Sequence, residues 1–130
     1  MPTKREIMVP GLSPPISHYC DATVWGDTVY VSGAAPVDGQ GNLVGKDDVA
    51  AQCRQVLTNL GACLKAAGTD FAHVLKVTVY LTNVDDRHKI NPVRQEFFGA
   101  HKPASTLIEI SRLAFPGMKI EIECIAGIPK

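Results

Sequence analysis

The chain lacks a surplus of charge: 13 Lys and Arg stand against 13 Asp and Glu in 130 residues. A sequence-independent grip on phosphate backbones needs basic residues in excess and clustered on one face, so no nucleic-acid partner is expected. Long apolar runs are also missing. Ile7-Met8-Val9 is too short for a signal-peptide core, and no run approaches a membrane span. A cytoplasmic protein without membrane contact is the expectation. Cys20, Cys53, Cys63 and Cys124 include no C-x-x-C pair and read as reduced core thiols. His18, His73, His88 and His101 lie far apart with no H-E-x-x-H, so no metal site is expected. The run Gly39 to Asp47 fails as a phosphate loop, because Gln40 stands where glycine is required and Asp47 where Ser or Thr is required. Its glycines have the wrong spacing for a dinucleotide fingerprint. No G-x-S-x-G elbow supports a serine hydrolase.

What remains is ordinary globular composition, 45% hydrophobic and 20% charged, in a chain sized for one domain over residues 1–130. Arg5 to Val9 reads as a short strand. Ala22–Gly26 and Thr28–Ser32 read as a hairpin turning at Gly26-Asp27. Helical spacing of Val49, Cys53, Val56, Leu57, Leu60, Leu64 and Ala67 predicts a helix from about Asp48 to Ala67, with Gln52, Arg54, Gln55, Asn59 and Lys65 off the apolar stripe. Asp48 suits its start and Gly68 its stop. Strict alternation predicts a strand from Val74 to Thr82, with Leu75, Val77, Val79 and Leu81 on the helix. A second helical stretch begins at Asn83 and restarts at Asn91-Pro92, Asn91 acting as a cap and Pro92 as the first helical residue. Strands over about Ala104–Ile110 and Lys119–Ala126 close the chain. The economical packing is α+β, with two helices on one face of a mixed sheet. The other face carries Tyr80 and calls for cover, most simply by further copies of the chain.

Glu121 and Glu123 lie on one face of the last strand, whose other face is Ile120, Ile122 and Cys124. Spacing alone permits two readings: a solvated acidic edge, or a carboxyl desolvated in a cleft between subunits and able to shuttle a proton.

Several stretches together resemble the Rid (YjgF-like) family of reactive-intermediate deaminases, which act on imines and enamines. They are Tyr19, Val31-Ser32-Gly33, Ala50-Ala51-Gln52, Val74 to Leu81, Phe97-Phe98, Pro103-Ala104 and Lys119-Ile-Glu-Ile-Glu-Cys-Ile-Ala126. The resemblance spans nearly the whole chain. It implies a chorismate-mutase-like α+β fold, a homotrimer with small-molecule sites between subunits, and no metal or organic cofactor. By motif, Glu121 is the catalytic acid-base group, while Tyr19, Ser32 and Gly33 line the pocket and Asn91 borders it. Ser105 departs from the pattern, because deaminating members carry arginine there to grip a substrate carboxylate. In this the chain is similar to the arginine-lacking branch that resembles 2-aminomuconate deaminases. Arg94, one turn after Asn91, and Arg112 are the candidates to replace that clamp, set against an ordinary reading of both as solvated surface residues.

Three functions therefore compete. The first is hydrolytic deamination of a small enamine or imine, such as an aminomuconate-type intermediate. The second is a non-catalytic trimeric small-molecule-binding or regulatory protein, which the loss of charge at Ser105 favours. The third is an RNA-acting role, disfavoured by zero net charge.

Overall fold

The computed structural model describes residues 2–130. Eight elements carry the architecture: β1 (Lys4–Ile7), β2 (Ala22–Trp25), β3 (Thr28–Ala34), α1 (Val49–Ala66), β4 (Val74–Leu81), α2 (Arg87–Phe98), β5 (Ala104–Glu109) and β6 (Ile120–Gly127). They form one six-stranded sheet in the order β1-β2-β3-β6-β4-β5. Only β4 and β5 run parallel, joined through α2, and every other pair is antiparallel. Both helices lie on one face, as the alternation predicts.

The helix α1 forms where expected because its cap and its apolar stripe agree. The Asp48 carboxylate accepts a hydrogen bond from the Ala51 N–H at 3.1 Å, supplying one of the orphan amides of the first turn. Val56, Leu57, Leu60 and Leu64 are fully buried against Val29, Val79, Ile120 and Ile122 of the sheet. Burial of this kind contributes about 1.5–3 kcal/mol for each large aliphatic side chain.

Three local expectations are corrected. Gln52 is not off the buried stripe: it is completely buried on α1. Leu75 does not face the helices. The pairing of β4 with β6 shifts between Val74 and Lys76, which turns Val74 into the core and leaves Leu75 57% exposed. Asn91 is not a cap, because α2 runs unbroken from Arg87 to Phe98 with Pro92 inside it. Pro92 removes the amide that would bond the His88 carbonyl. Both residues lie on the exposed side, where water can serve that carbonyl instead. The position before α2 is Asp86, whose side chain makes no capping bond, while upstream the Asn83 side chain caps the short 3-10 turn Val84–Asp86 by accepting from Asp85 N–H at 3.0 Å.

Candidate active site

A second irregularity opens the sheet beside Glu121. The β3–β6 ladder shifts between Val31 and Ala34, so Ser32 and Gly33 are out of register with β6. Such bulges re-aim backbone and side chains at the margin of a sheet. Here the freed segment lies against Glu121: a Cβ on Gly33 would stand 2.5 Å from Glu121 Oε2 and 2.7 Å from its carboxyl carbon. Glycine is therefore the residue that lets the carboxyl lie flat on the β3 backbone.

The two acidic residues of β6 have different surroundings. Glu123 accepts a hydrogen bond from the Tyr80 hydroxyl at 2.9 Å. Glu121 has no hydrogen-bond or ion-pair partner among the described residues, although it is half-buried. Burial, and secondarily the charge of Glu123, push its carboxyl above the ordinary glutamate range. A carboxyl that is desolvated, unpartnered and raised is suited to exchanging a proton with a bound ligand.

Glu121 borders a cavity of about 460 Å³. Tyr19, Ser32 and Gly33 line it too, so four of the six site residues expected from sequence come together. Tyr19 is 47% exposed at its mouth. Ser32 is partly committed, because its hydroxyl donates to the Cys20 carbonyl at 2.7 Å, and its lone pairs remain to accept from a ligand. Leu12, Ile16, Phe115 and Met118 give the cavity apolar walls.

Asn91 and Ser105 are not part of that cavity in one chain. Ser105 stands opposite Val77 in the parallel β4–β5 register and so shares the helix-side face, whereas Glu121 stands opposite Tyr80 on the other face. Asn91 is exposed on α2, and Arg112 is exposed in the loop before β6.

Two residues that shape the cavity did not emerge from the sequence. Asn59 donates to the Ala35 and Val37 carbonyls at 2.9 and 2.8 Å, anchoring the segment after β3. Gln52 donates to the Gly45 and Gly117 carbonyls at 3.2 and 2.9 Å and accepts from Lys119 N–H at 2.7 Å. It thereby ties the loop carrying Phe115 and Met118 to α1. Their signal was available: Gln52, Val56, Asn59 and Cys63 recur at i, i+4, i+7 and i+11, one helical face with two amides in it.

Residues 11–128 match the family described as Endoribonuclease L-PSP. The chain belongs to that family. It is the Rid family whose motifs the sequence resembles, and one solved relative, from Yersinia pestis, is described under that name (TM-score 0.91, 33% identity, 97% of this chain and 100% of that one). A RutC family protein of Pyrococcus horikoshii is 41% identical over 123 residues, covering 95% of this chain and 97% of the relative. The human 2-iminobutanoate/2-iminopropanoate deaminase is 34% identical over 111 residues, covering 85% and 80%.

Within this Rid chain, among the described residues, no group of His, Cys, Asp and Glu is placed to hold a metal, and no helix is long and apolar enough to cross a membrane. The close approach at Gly33 is directly testable. Gly33→Ala should fold with little loss of stability, since the atom displaced is the end of a flexible side chain. Swinging the Glu121 carboxyl away by about 1 Å should cost roughly 10- to 100-fold in kcat/KM, read in any turnover assay beside a thermal melt.

Proposed function

We propose that this protein is a cofactor-independent hydrolytic deaminase of small enamines or imines, with Glu121 as the acid-base group in a cleft between subunits of a homotrimer. The observation that carries this reading is the half-buried Glu121 carboxyl, raised by burial and without a partner, at the wall of a cavity sized for a metabolite. The relatives named as imine deaminases support it.

An enamine first takes a proton on carbon from the Glu121 carboxyl and becomes an iminium. Water then adds to the neighbouring carbon, the one bearing nitrogen, while the carboxylate takes its proton and passes it to the departing nitrogen. Collapse of the adduct expels ammonia and leaves the carbonyl, so one water is consumed for each ammonia released. Tyr19, Ser32 and the Gly33 backbone orient the substrate, and the apolar walls keep other water away. A homotrimer is supported by the uncovered sheet face, where Trp25, Tyr30 and Ile108 are 56%, 49% and 40% exposed. It would also bring Asn91 and Ser105 of one copy toward Glu121 of another. Zero net charge speaks for a small metabolite over RNA.

The test is ammonia release by the purified protein from 2-iminopropanoate, generated in situ by an amino-acid oxidase, and from 2-aminomuconate. Release well above the uncatalysed rate is expected from at least one. A preference for 2-aminomuconate would place the chain with the arginine-lacking branch. A rate no faster than buffer on both, with ligand recovered unchanged, would replace this reading with that of a binding protein.

A further inference from the structure

Arg94 is a cation without a counter-charge. It projects from α2, is half-buried, and has no carboxylate within ion-pair distance among the described residues, unlike Arg54, which pairs with Glu96, and Arg87, which pairs with Asp85. Its one recorded hydrogen bond runs from Nη2 to the Ser105 hydroxyl at 3.1 Å. Burial draws the guanidinium below its usual range. A partly desolvated charge held by one neutral hydroxyl is costly unless an anion joins it. The guanidinium has donors to spare for one, in a planar fork that matches a carboxylate.

The surroundings allow an anion to reach it. Ser105 is exposed on β5, at the open end of the sheet order, and exposed Asn91 lies one turn before Arg94 on the same helix face. Ser105 and Glu121 occupy opposite faces of the sheet. A small ligand therefore cannot touch Arg94 and Glu121 of one chain together, whereas it can lie between two copies.

We propose that Arg94, steadied by Ser105, is an anion-binding residue that grips the carboxylate of a 2-imino or 2-oxo acid and holds it against Glu121 of a second copy. The part concerning Glu121 rests on the deaminase reading, while the carboxylate grip stands apart from it. Serine at position 105 then leaves room for a guanidinium delivered from the helix. Charge at this site comes from α2 and not from the strand.

The experiment is a calorimetric titration of the full-length protein with pyruvate, its neutral amide pyruvamide, and inorganic phosphate, for wild type, Arg94→Gln and Arg94→Lys. Wild type should bind pyruvate, and Arg94→Gln should weaken it at least tenfold while leaving pyruvamide affinity unchanged. Arg94→Lys should fall between, since it keeps the charge and loses the fork. In the turnover assay Arg94→Gln should raise KM for a carboxylate substrate more than it lowers kcat. Equal pyruvate affinity in wild type and Arg94→Gln would overturn the proposal, as would binding of phosphate in place of pyruvate. Arg94-dependent pyruvate binding without any ammonia release would uphold the grip and overturn the deaminase reading. Deamination indifferent to Arg94 would do the reverse.

Discussion

Glu121→Gln is expected to lower ammonia release at neutral pH by about 10²- to 10⁴-fold, the contribution of a positioned acid-base group, while making the folded protein more stable. The amide keeps the shape of the side chain and cannot exchange a proton. The stability gain follows from the raised carboxyl. A group whose folded pKa lies above its unfolded value is penalised when it ionises in the folded state. Below about pH 4, near the ordinary glutamate value, it is largely protonated folded or unfolded, and the penalty is small. The penalty grows as pH rises from there through the raised pKa and is constant above it. Glutamine is never charged. Urea midpoints for the two proteins should coincide at the acid end and separate in favour of the variant at pH 7. An unchanged rate would remove Glu121 from the chemistry, and a lower midpoint at pH 7 would mean the carboxylate has a stabilising partner after all.

Gln52→Ala should have the largest effect on stability. The native amide bonds two carbonyls and one N–H from two separate loops, with no exposed surface of its own. Truncation leaves the Gly117 carbonyl and the Lys119 N–H without their partner and opens a void, while the Gly45 carbonyl keeps the Asp48 N–H. Each unsatisfied buried group costs about 1–3 kcal/mol, so a loss of about 3 kcal/mol or more is expected, a large part of a typical total of about 5–15 kcal/mol. For a domain of this size that is a fall of roughly 10 °C or more in Tm. Gln52→Glu should not rescue it, because the acid would turn an oxygen toward the Gly45 or Gly117 carbonyl. Ligand affinity should fall as well, since Phe115 and Met118 lose the tie that places them on the cavity wall. A melt within about 2 °C of wild type would show that water or a rearranged loop substitutes for the amide.

The regular elements were legible in the sequence because periodicity and caps agreed. Val49 to Leu64 repeats at helical spacing after an aspartate, and Ile120, Ile122 and Cys124 alternate with Glu121 and Glu123. The breaks in periodicity were not legible. A bulge is set by how two strands distant in sequence fit together, and nothing near Leu75 or Ser32 announces the extra residue. Pro92 reads locally as a helix start and is overruled by a helix already under way. Gln52 reads as surface, because a polar residue beside an apolar stripe resembles its wet margin. Only the loops that α1 meets at Gly45 and Gly117 show that it lies inside. Of the site residues, Tyr19, Ser32, Gly33 and Glu121 converge within one chain, whereas Asn91 and Ser105 lie elsewhere on it.

The strand order has a consequence for how the protein is made. β6, the last strand in sequence, lies between β3 and β4 and is the sole link between β1-β2-β3 and β4-β5. Until it is synthesised, a nascent chain carries two incomplete sheets with open edges, and such edges invite pairing with other chains. Glu121, the proposed proton-transferring residue, lies on the same keystone strand. A chain stalled on the ribosome before Ile120 thus has neither a closed sheet nor a reactive centre, so completion of the fold and acquisition of Glu121 coincide.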